Sequence, residues 1–285
     1  MKRFFIITNK GKDPELTETG RVKKYLEDRG AECTLAHSFL PAESTGSLKP
    51  GSLDVPEDAE CVLVLGGDGT MLQAAGSMTD KDIPLLGINL GTIGYLTEVE
   101  LSDLDNALDK LLNDDFQTED RMMLQGVLMQ GDNKGVVNYA LNDIIIARCS
   151  SLQIYNFNIY VNDKLLTSYQ ADGIILSTPT GSTAYNMSAG GPIVDPKAQI
   201  LLLTPICPHA ANARTIVLSV NDRVTVEIGH GRFDSEQIVE VSLDGARRQM
   251  MKSGDKIDIS AADKVTKVIK LSSESFVNIL RKKIV

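Results

Sequence analysis

Cys61-Val62-Leu63-Val64-Leu65-Gly66-Gly67-Asp68-Gly69-Thr70-Met71-Leu72-Gln73-Ala74-Ala75 is the stretch that decides the fold class. Cys61–Leu65 is continuously apolar, as expected of a strand covered on both faces in a parallel sheet. The run enters a glycine turn, and Met71–Ala75 then reads as helix. Strand, glycine turn and helix together present unpaired backbone N–H groups at a helix start, where an anion is favoured. The glycines allow close approach to a phosphate. The loop fits neither G-x-x-x-x-G-K-[ST] nor G-x-G-x-x-G, and it contains no lysine to reach a phosphate. Asp68 takes its centre instead. A carboxylate beside polyphosphate is repelled unless a metal ion or a proton offsets it. Asp68 therefore reads as a base for a sugar hydroxyl, a Mg²⁺ ligand, or both, against the plainer alternative of a capped tight turn.

Working outward, strand and helix signals alternate. Phe4–Thr8 reads as a first buried strand. Asp13 is placed to cap a helix with Pro14 at its first position, Val22, Tyr25 and Leu26 on its apolar face, and Gly30 at its end. Residues 37–58 have no sustained period and read as loop. Pro84–Asn89 is a further buried strand. Leu101, Leu104, Leu108, Leu111 and Leu112 mark an amphipathic helix with Ser102 as its cap. This βαβ order predicts a parallel sheet.

Beyond Phe116 the period becomes two. Phe157, Ile159 and Val161 alternate with polar residues, as do Val224, Val226 and Ile228, and Val239, Val241 and Leu243. Asn162-Asp163, Asp172-Gly173, Asp244-Gly245 and Ser253-Gly254 read as turns between these runs. Phe276, Ile279 and Leu280 suggest a short last helix or an extended tail. The expected architecture is α/β plus all-β. Residues 1–115 form a parallel-sheet nucleotide-binding domain, with a tail of about 272–285 packing back on it. Residues 116–271 form a β-rich domain.

The formal net charge is −9, so a broad basic face for nucleic acid is not expected, although backbone amides and a metal ion still accommodate a small anion. No apolar run approaches the roughly 18 residues of a membrane span, and the first residues turn polar too soon for a signal peptide. The four cysteines form no metal-ligand pattern and read as reduced thiols of a cytoplasmic protein. His37, His209 and His230 are dispersed and take no role.

A second motif, Thr178-Pro179-Thr180-Gly181-Ser182-Thr183-Ala184-Tyr185-Asn186-Met187-Ser188-Ala189-Gly190-Gly191-Pro192, follows the apolar Ile174–Leu176. Its hydroxyls and the flat ring of Tyr185 suit a nucleotide, and equally a surface loop. Asn142-Asp143 and Asp172-Gly173 each precede a strand and are by default turns.

In this order the segments resemble the NAD kinase family, across about residues 60–245. Gly66–Thr70, Asn89–Thr97, Asn142-Asp143, Asp172-Gly173, Thr178–Tyr185 and Ser188–Pro192 carry the likeness. The glycine loop alone is shared with lipid kinases and phosphofructokinases, so a lipid or sugar kinase is the alternative, and a non-catalytic dinucleotide sensor a third reading.

The resemblance implies an active site between an α/β and a β-sandwich-like domain. Within it, Asp68 acts as base toward the adenosine ribose 2′-hydroxyl of NAD, and ATP with Mg²⁺ lies on Gly66, Gly67, Asp68, Gly69 and Thr70. Asn142 and Asp143 contact the adenosine half, Thr183 and Ala184 its adenine, and Tyr185 the rings. Asp172, Ala184 and Ser188 lie near the nicotinamide. Asp244 faces the ligand or simply makes a hairpin turn. The resemblance also implies a homodimer or homotetramer. The chain departs from the family pattern with Asp143 in place of Glu, Tyr95 in place of Phe, Gln170 where some members have Arg, and Thr215 where an Arg-Pro pair is usual.

Overall fold

The computed structural model describes residues 1–36, 53–91, 94–131, 133–149, 153–210, 212–272 and 274–284. The chain divides into two compact units, Met1–Asp120 with Thr266–Val285, and Arg121–Val265.

The first unit contains β1 (Arg3–Thr8), α1 (Thr17–Glu27), β2 (Glu32–Leu35), β3 (Cys61–Gly66), α2 (Asp68–Ser77), β4 (Leu85–Asn89), β5 (Val99–Glu100) and α3 (Leu104–Leu112). β1 pairs in parallel with β2 on one side and β3 on the other, and β3 pairs in parallel with β4. β5 lies parallel to the end of β4, and the returning chain at Val268 pairs in parallel with Leu85. Every residue from Cys61 to Leu65 is fully buried, as their unbroken apolar run requires. Val22 and Leu26 of α1 join Leu104, Leu108 and Leu111 of α3 in the same core. Burying one such large aliphatic side chain contributes about 1.5–3 kcal/mol.

The chain leaves β1 for β2 and then returns to β3 on the other side of β1. The carboxyl ends of β1 and β3 are therefore the point where the strand order reverses, the crevice in which open α/β sheets bind ligands.

Two expected helix starts shift. α1 begins at Thr17 rather than Pro14, although Asp13 still serves its N-terminus. The buried Asp13 carboxylate accepts from Thr19 N at 2.9 Å and Thr19 Oγ1 at 2.7 Å, reaching over the intervening turn. Burial pushes this carboxyl up, but the Thr19 hydroxyl and the nearby amides outweigh it and hold it below the usual range. Ser102 is not a cap; it lies inside a 3₁₀ turn, Leu101–Asp103, that precedes α3. Of the loop expected over 37–58, residues 37–52 lie outside the described residues, and 53–58 contain no helix or strand.

The second unit is a two-sheet sandwich. The chain passes into it within β6 (Gln117–Gln130), and continues through β7 (Asn133–Ala140), β8 (Asp143–Arg148), β9 (Tyr155–Val161), β10 (Lys164–Ala171), β11 (Gly173–Ser177), the single helical turn α4 (Tyr185–Ser188), β12 (Ile200–Ile206), β13 (Ile216–Ser219), β14 (Val224–Ile228), β15 (Ile238–Leu243) and β16 (Arg247–Lys252). It leaves within β17 (Lys256–Lys270), ahead of a terminal helix, α5 (Phe276–Ile284).

One sheet runs β10-β9-β14-β17, with β6 paired to β17 and β7 to β6. The other runs β13-β12-β11-β8-β15-β16. Phe157, Ile159, Val224 and Val226 of the first meet Ile144, Ile174, Leu203, Val239 and Val241 of the second in one core, as the period of two predicts. Asn162 and Asp163 both have positive φ, the signature of a two-residue hairpin, and Asp244 and Gly245 have positive φ in the three-residue turn between Leu243 and Arg247. Asp172-Gly173 is a bend rather than a hairpin: the chain leaves β10 in one sheet and enters β11 in the other. Gly173 is required there, since a Cβ on it would fall 2.5 Å from the carbonyl oxygen of Ile146.

Candidate active site

In the first unit, the loops that follow β1, β3 and β4 gather around Asp68. The extended Gly67 precedes Asp68, the first residue of α2. The Asp68 carboxylate accepts from Tyr95 N at 2.7 Å and Leu96 N at 3.0 Å, one amide per oxygen. These two bonds fix the plane of the carboxylate and leave each oxygen a further lone pair for a proton or a cation. Gly94 is what lets the loop approach, because a Cβ there would lie 1.8 Å from Asp68 Oδ1. Its neighbours Thr92 and Ile93, part of the family-like segment, lie outside the described residues.

Thr70 turns inward. Its hydroxyl accepts from Asn9 Nδ2 at 3.1 Å and sits beneath Gly66, where a Cβ would come within 2.3 Å. Gly69 is exposed. Gly66, Gly67 and Thr70 thus shape the loop, while Asp68 and the surface of Gly67 and Gly69 face outward.

The glycine loop has a lysine after all, brought from another part of the chain. Asn9 follows β1 and is anchored by donating its amide to Leu65 O at 2.9 Å. Its side-chain oxygen accepts from Gly11 N at 2.9 Å, and its carbonyl accepts from Lys12 N at 2.9 Å. This turn carries Lys12 across the switch point. A Cβ on Gly67 would lie 2.9 Å from Lys12 Nζ, and one on Gly91 3.2 Å. The sequence places Lys12 fifty-odd residues from the loop it overhangs, so spacing within the motif carries no trace of it.

In the second unit, Asn142, Asp143, Asp244 and the Thr178–Gly191 segment form one cluster. Asp143 opposes Ser177 in the β8–β11 ladder. The Asp244 carboxylate accepts from the amides of Leu141 at 2.7 Å, Asn142 at 2.8 Å and Asp143 at 3.1 Å. It thereby sets the turn that enters β8.

The hydroxyl-rich segment then packs onto that turn. Thr178 donates its amide to Asn142 O at 2.9 Å and its hydroxyl to Leu141 O at 2.7 Å. Gly181 fits because a Cβ there would fall 2.2 Å from Asn142 O. Asn186 is fully buried; it donates to Ser182 O and Pro192 O and accepts from Thr204 Oγ1 at 2.7 Å. Thr215, the departure from Arg-Pro, extends this chain by sharing a 2.9 Å hydrogen bond with Thr204. The motif thus divides into residues that hold the turn (Thr178, Ser182, Asn186) and residues left outside it. Thr183 and Ala184 are half-buried, and Tyr185 and Ser188 are exposed.

Two buried side-chain atoms of this cluster, Asn142 Oδ1 and Thr180 Oγ1, have no hydrogen-bond partner. Buried polar atoms are rarely left so, and these suit a ligand that offers both a donor and an acceptor. Burial, and secondly the charge of Asp244, push the Asp143 carboxyl up to about 7. Near neutral pH it therefore both donates and accepts hydrogen bonds.

Asp172 is not part of this cluster. It precedes β11, while Thr178 follows it, about 20 Å away along an extended strand. Arg148, at the end of β8, makes an ion pair with it at 2.9 Å. Among the described residues no group of three or more His, Cys, Asp or Glu is assembled as a metal cage, and no helix is long and apolar enough to cross a membrane.

Residues 4–116 match the model of the ATP-NAD kinase N-terminal domain, and residues 141–271 that of the ATP-NAD kinase C-terminal domain. An NAD kinase of Agathobacter rectalis is 44% identical over 99% of this chain and 98% of its own, and one of Lachnospira eligens 40% identical over 99% and 100%. A yeast NADH kinase crystallised with NADH superposes with a TM-score of 0.83 at 25% identity, covering 99% of this chain and 87% of that one. An Archaeoglobus fulgidus NAD kinase crystallised with ATP shares the fold, with a TM-score of 0.75 at 22% identity, covering 98% of each chain. A parallel-sheet unit ending in a glycine–aspartate loop, a sandwich unit built around the Thr178–Gly191 turn, and relatives matched over nearly their whole length place this chain in the ATP-NAD kinase family.

Proposed function

We propose that the chain transfers the terminal phosphoryl group of ATP to the adenosine ribose 2′-hydroxyl of NAD, giving NADP and ADP. One observation supports this above the rest: Asp68 stands at the switch point of a parallel sheet with its carboxylate oriented by two backbone amides. In this reading Asp68 takes the proton of the 2′-hydroxyl as that oxygen forms its bond to the γ-phosphorus. The bond from phosphorus to the β,γ-bridging oxygen breaks, and ADP leaves. Gly66, Gly67, Gly69 and the start of α2 offer backbone amides to the donor phosphates. Mg²⁺ would be held mainly by the oxygens of the polyphosphate and would supply charge neutralisation of the transferred phosphoryl group.

Asn142 and Asp143 hold the adenosine half of NAD, and their unpaired or titrating oxygens support that role. Thr183 and Ala184 lie against the adenine, Tyr185 against the rings, and Ser188, Ala184 and Asp172 serve the nicotinamide end. Asp244 acts through Asn142 and Asp143, whose amides it fixes. Thr70 acts through the shape of its loop. The protein works in the cytoplasm as a homodimer or homotetramer.

The test is NADP formation by the purified protein with NAD, ATP and Mg²⁺. Asp68→Asn is expected to lower kcat by about 10²–10⁴-fold, the usual worth of a general base, with KM for NAD little changed. Turnover by this variant at the wild-type rate removes Asp68 as the base.

A further inference from the structure

We propose that Lys12 is the cation that holds the donor polyphosphate, in the role that a lysine inside the loop plays in P-loop enzymes. The proposal rests on the phosphoryl-transfer reading above and adds to it a residue that the glycine motif lacks. Three observations carry it.

The first is position. Lys12 stands on the turn after β1, and the glycine loop follows β3; these two strands flank the point where the sheet order reverses. The second is contact. The Lys12 ammonium lies over two residues without side chains, within 2.9 Å of where a Gly67 Cβ would be and 3.2 Å of where a Gly91 Cβ would be. Gly67 immediately precedes the helix whose first amides face the donor, so the positive charge and those amides address the same volume. The third is the state of the group. Lys12 is exposed, and among the described residues it makes no ion pair or hydrogen bond, although many surface lysines of this acidic chain do, among them Lys23, Lys252 and Lys267.

The turn beneath Lys12 is built to hold it there. Asn9 ties Gly11 and Lys12 to itself, ties itself to Leu65, and donates from its side chain to Thr70 of the glycine loop. The buried Asp13 fixes the next residue to α1. The ammonium lies against Gly67, the residue that precedes Asp68, so its charge offsets the repulsion between that carboxylate and an incoming phosphate.

The experiment is steady-state kinetics of the full chain carrying Lys12→Gln. KM for ATP is expected to rise about 10- to 100-fold, the worth of a hydrogen bond to a charged group, with KM for NAD unchanged within about twofold. Competitive inhibition by ADP and by inorganic triphosphate should weaken to a similar extent while inhibition by adenosine does not, a pattern that general damage to the fold would not give. Lys12→Arg should recover most of the affinity. Gly91→Ala, which crowds the ammonium, should raise KM for ATP in the wild type and add little to Lys12→Gln.

An unchanged KM for ATP in Lys12→Gln overturns the proposal, as does an equal loss for adenosine, ADP and NAD. If the wild-type protein forms no NADP from ATP at all, the underlying reading falls and the lysine's role with it. If the wild type is active and Lys12→Gln is indistinguishable from it, only the lysine's role falls.

Discussion

The glycine–aspartate loop after β3 and the Thr178–Gly191 turn after β11 both follow a fully buried strand, yet they are held by opposite means. In the first, glycines remove side chains so that neighbouring loops can close in. Gly94 admits the amides that grip Asp68, and Gly66 admits Thr70. In the second, side chains do the holding, with Thr178 bonded to the carbonyl of Leu141, Ser182 to that of Val194, and Asn186 to those of Ser182 and Pro192. The first region turns amides outward and carries the Lys12 ammonium over them, which suits phosphate. The second leaves Asn142 Oδ1 and Thr180 Oγ1 buried and unpaired, which suits a neutral, hydrogen-bonding face such as a nucleoside. Rigidity comes from backbone proximity in one place and from a side-chain network in the other.

That contrast can be broken at Gly94. Gly94→Ala sets a methyl group 1.8 Å from where Asp68 Oδ1 now lies, so the Tyr95 and Leu96 amides must leave the carboxylate. NADP formation should fall at least about a hundredfold, since a displacement of about 1 Å in a reacting group costs that much. A kcat near wild type would mean that the amides do not position the carboxylate.

Asn186→Leu attacks the side-chain network instead. It strands the carbonyls of Ser182 and Pro192 and removes the acceptor of Thr204. A loss of about 2–4 kcal/mol is expected, read as a fall of roughly 5–15 °C in the Tm of the second unit by calorimetry. An unchanged Tm would show that Thr215 and water take over these bonds.

Asp143 sharpens the comparison through pH. Its folded carboxyl titrates near 7, against 3.8 for the ordinary group. Below about pH 4 both folded and unfolded chains are protonated and the fold keeps its full stability. From there to about pH 7 the unfolded chain ionises while the folded one resists, so stability drains away, and above that range the loss levels off. Asp143→Asn removes the effect. Unfolding free energies from urea titrations should therefore separate in the variant's favour as pH rises from 4 to 8, by about 1–3 kcal/mol. A difference independent of pH would contradict the burial of an ionising group.

The smallest expected effect is at Thr180. Because its hydroxyl is buried without a partner, Thr180→Val should leave the free protein as stable or slightly more so, within about 0.5 kcal/mol. It should weaken NAD by a few-fold, as judged by KM. A large loss of stability would show that the hydroxyl is engaged in the free protein.

Much of the fold was legible because burial leaves a periodic trace. Cys61–Leu65 is apolar throughout and fully buried; Phe157, Ile159, Val239 and Val241 alternate and face one core. The order of the motifs was enough to suggest the family, and the comparisons agree. Helix starts were less legible. Asp13 looks like a cap one residue before Pro14, but its carboxylate spans a turn to Thr19, a reach that depends on the fold of the turn itself.

From the chain alone came the two classes of unit, the buried strands and the presence of an acidic residue in a glycine turn, since each follows from local composition or from a period of two or 3.6 residues. The partners were decided by the tertiary structure. Gly94 meets Asp68, Lys12 overhangs Gly67 and Gly91, and Asp244 grips the amides of Leu141, Asn142 and Asp143. These meetings join loop ends remote in sequence, set by which strands lie side by side. Loops have no periodicity to announce them, and a hydrogen bond depends on distances of a few tenths of an ångström that only the assembled sheets define.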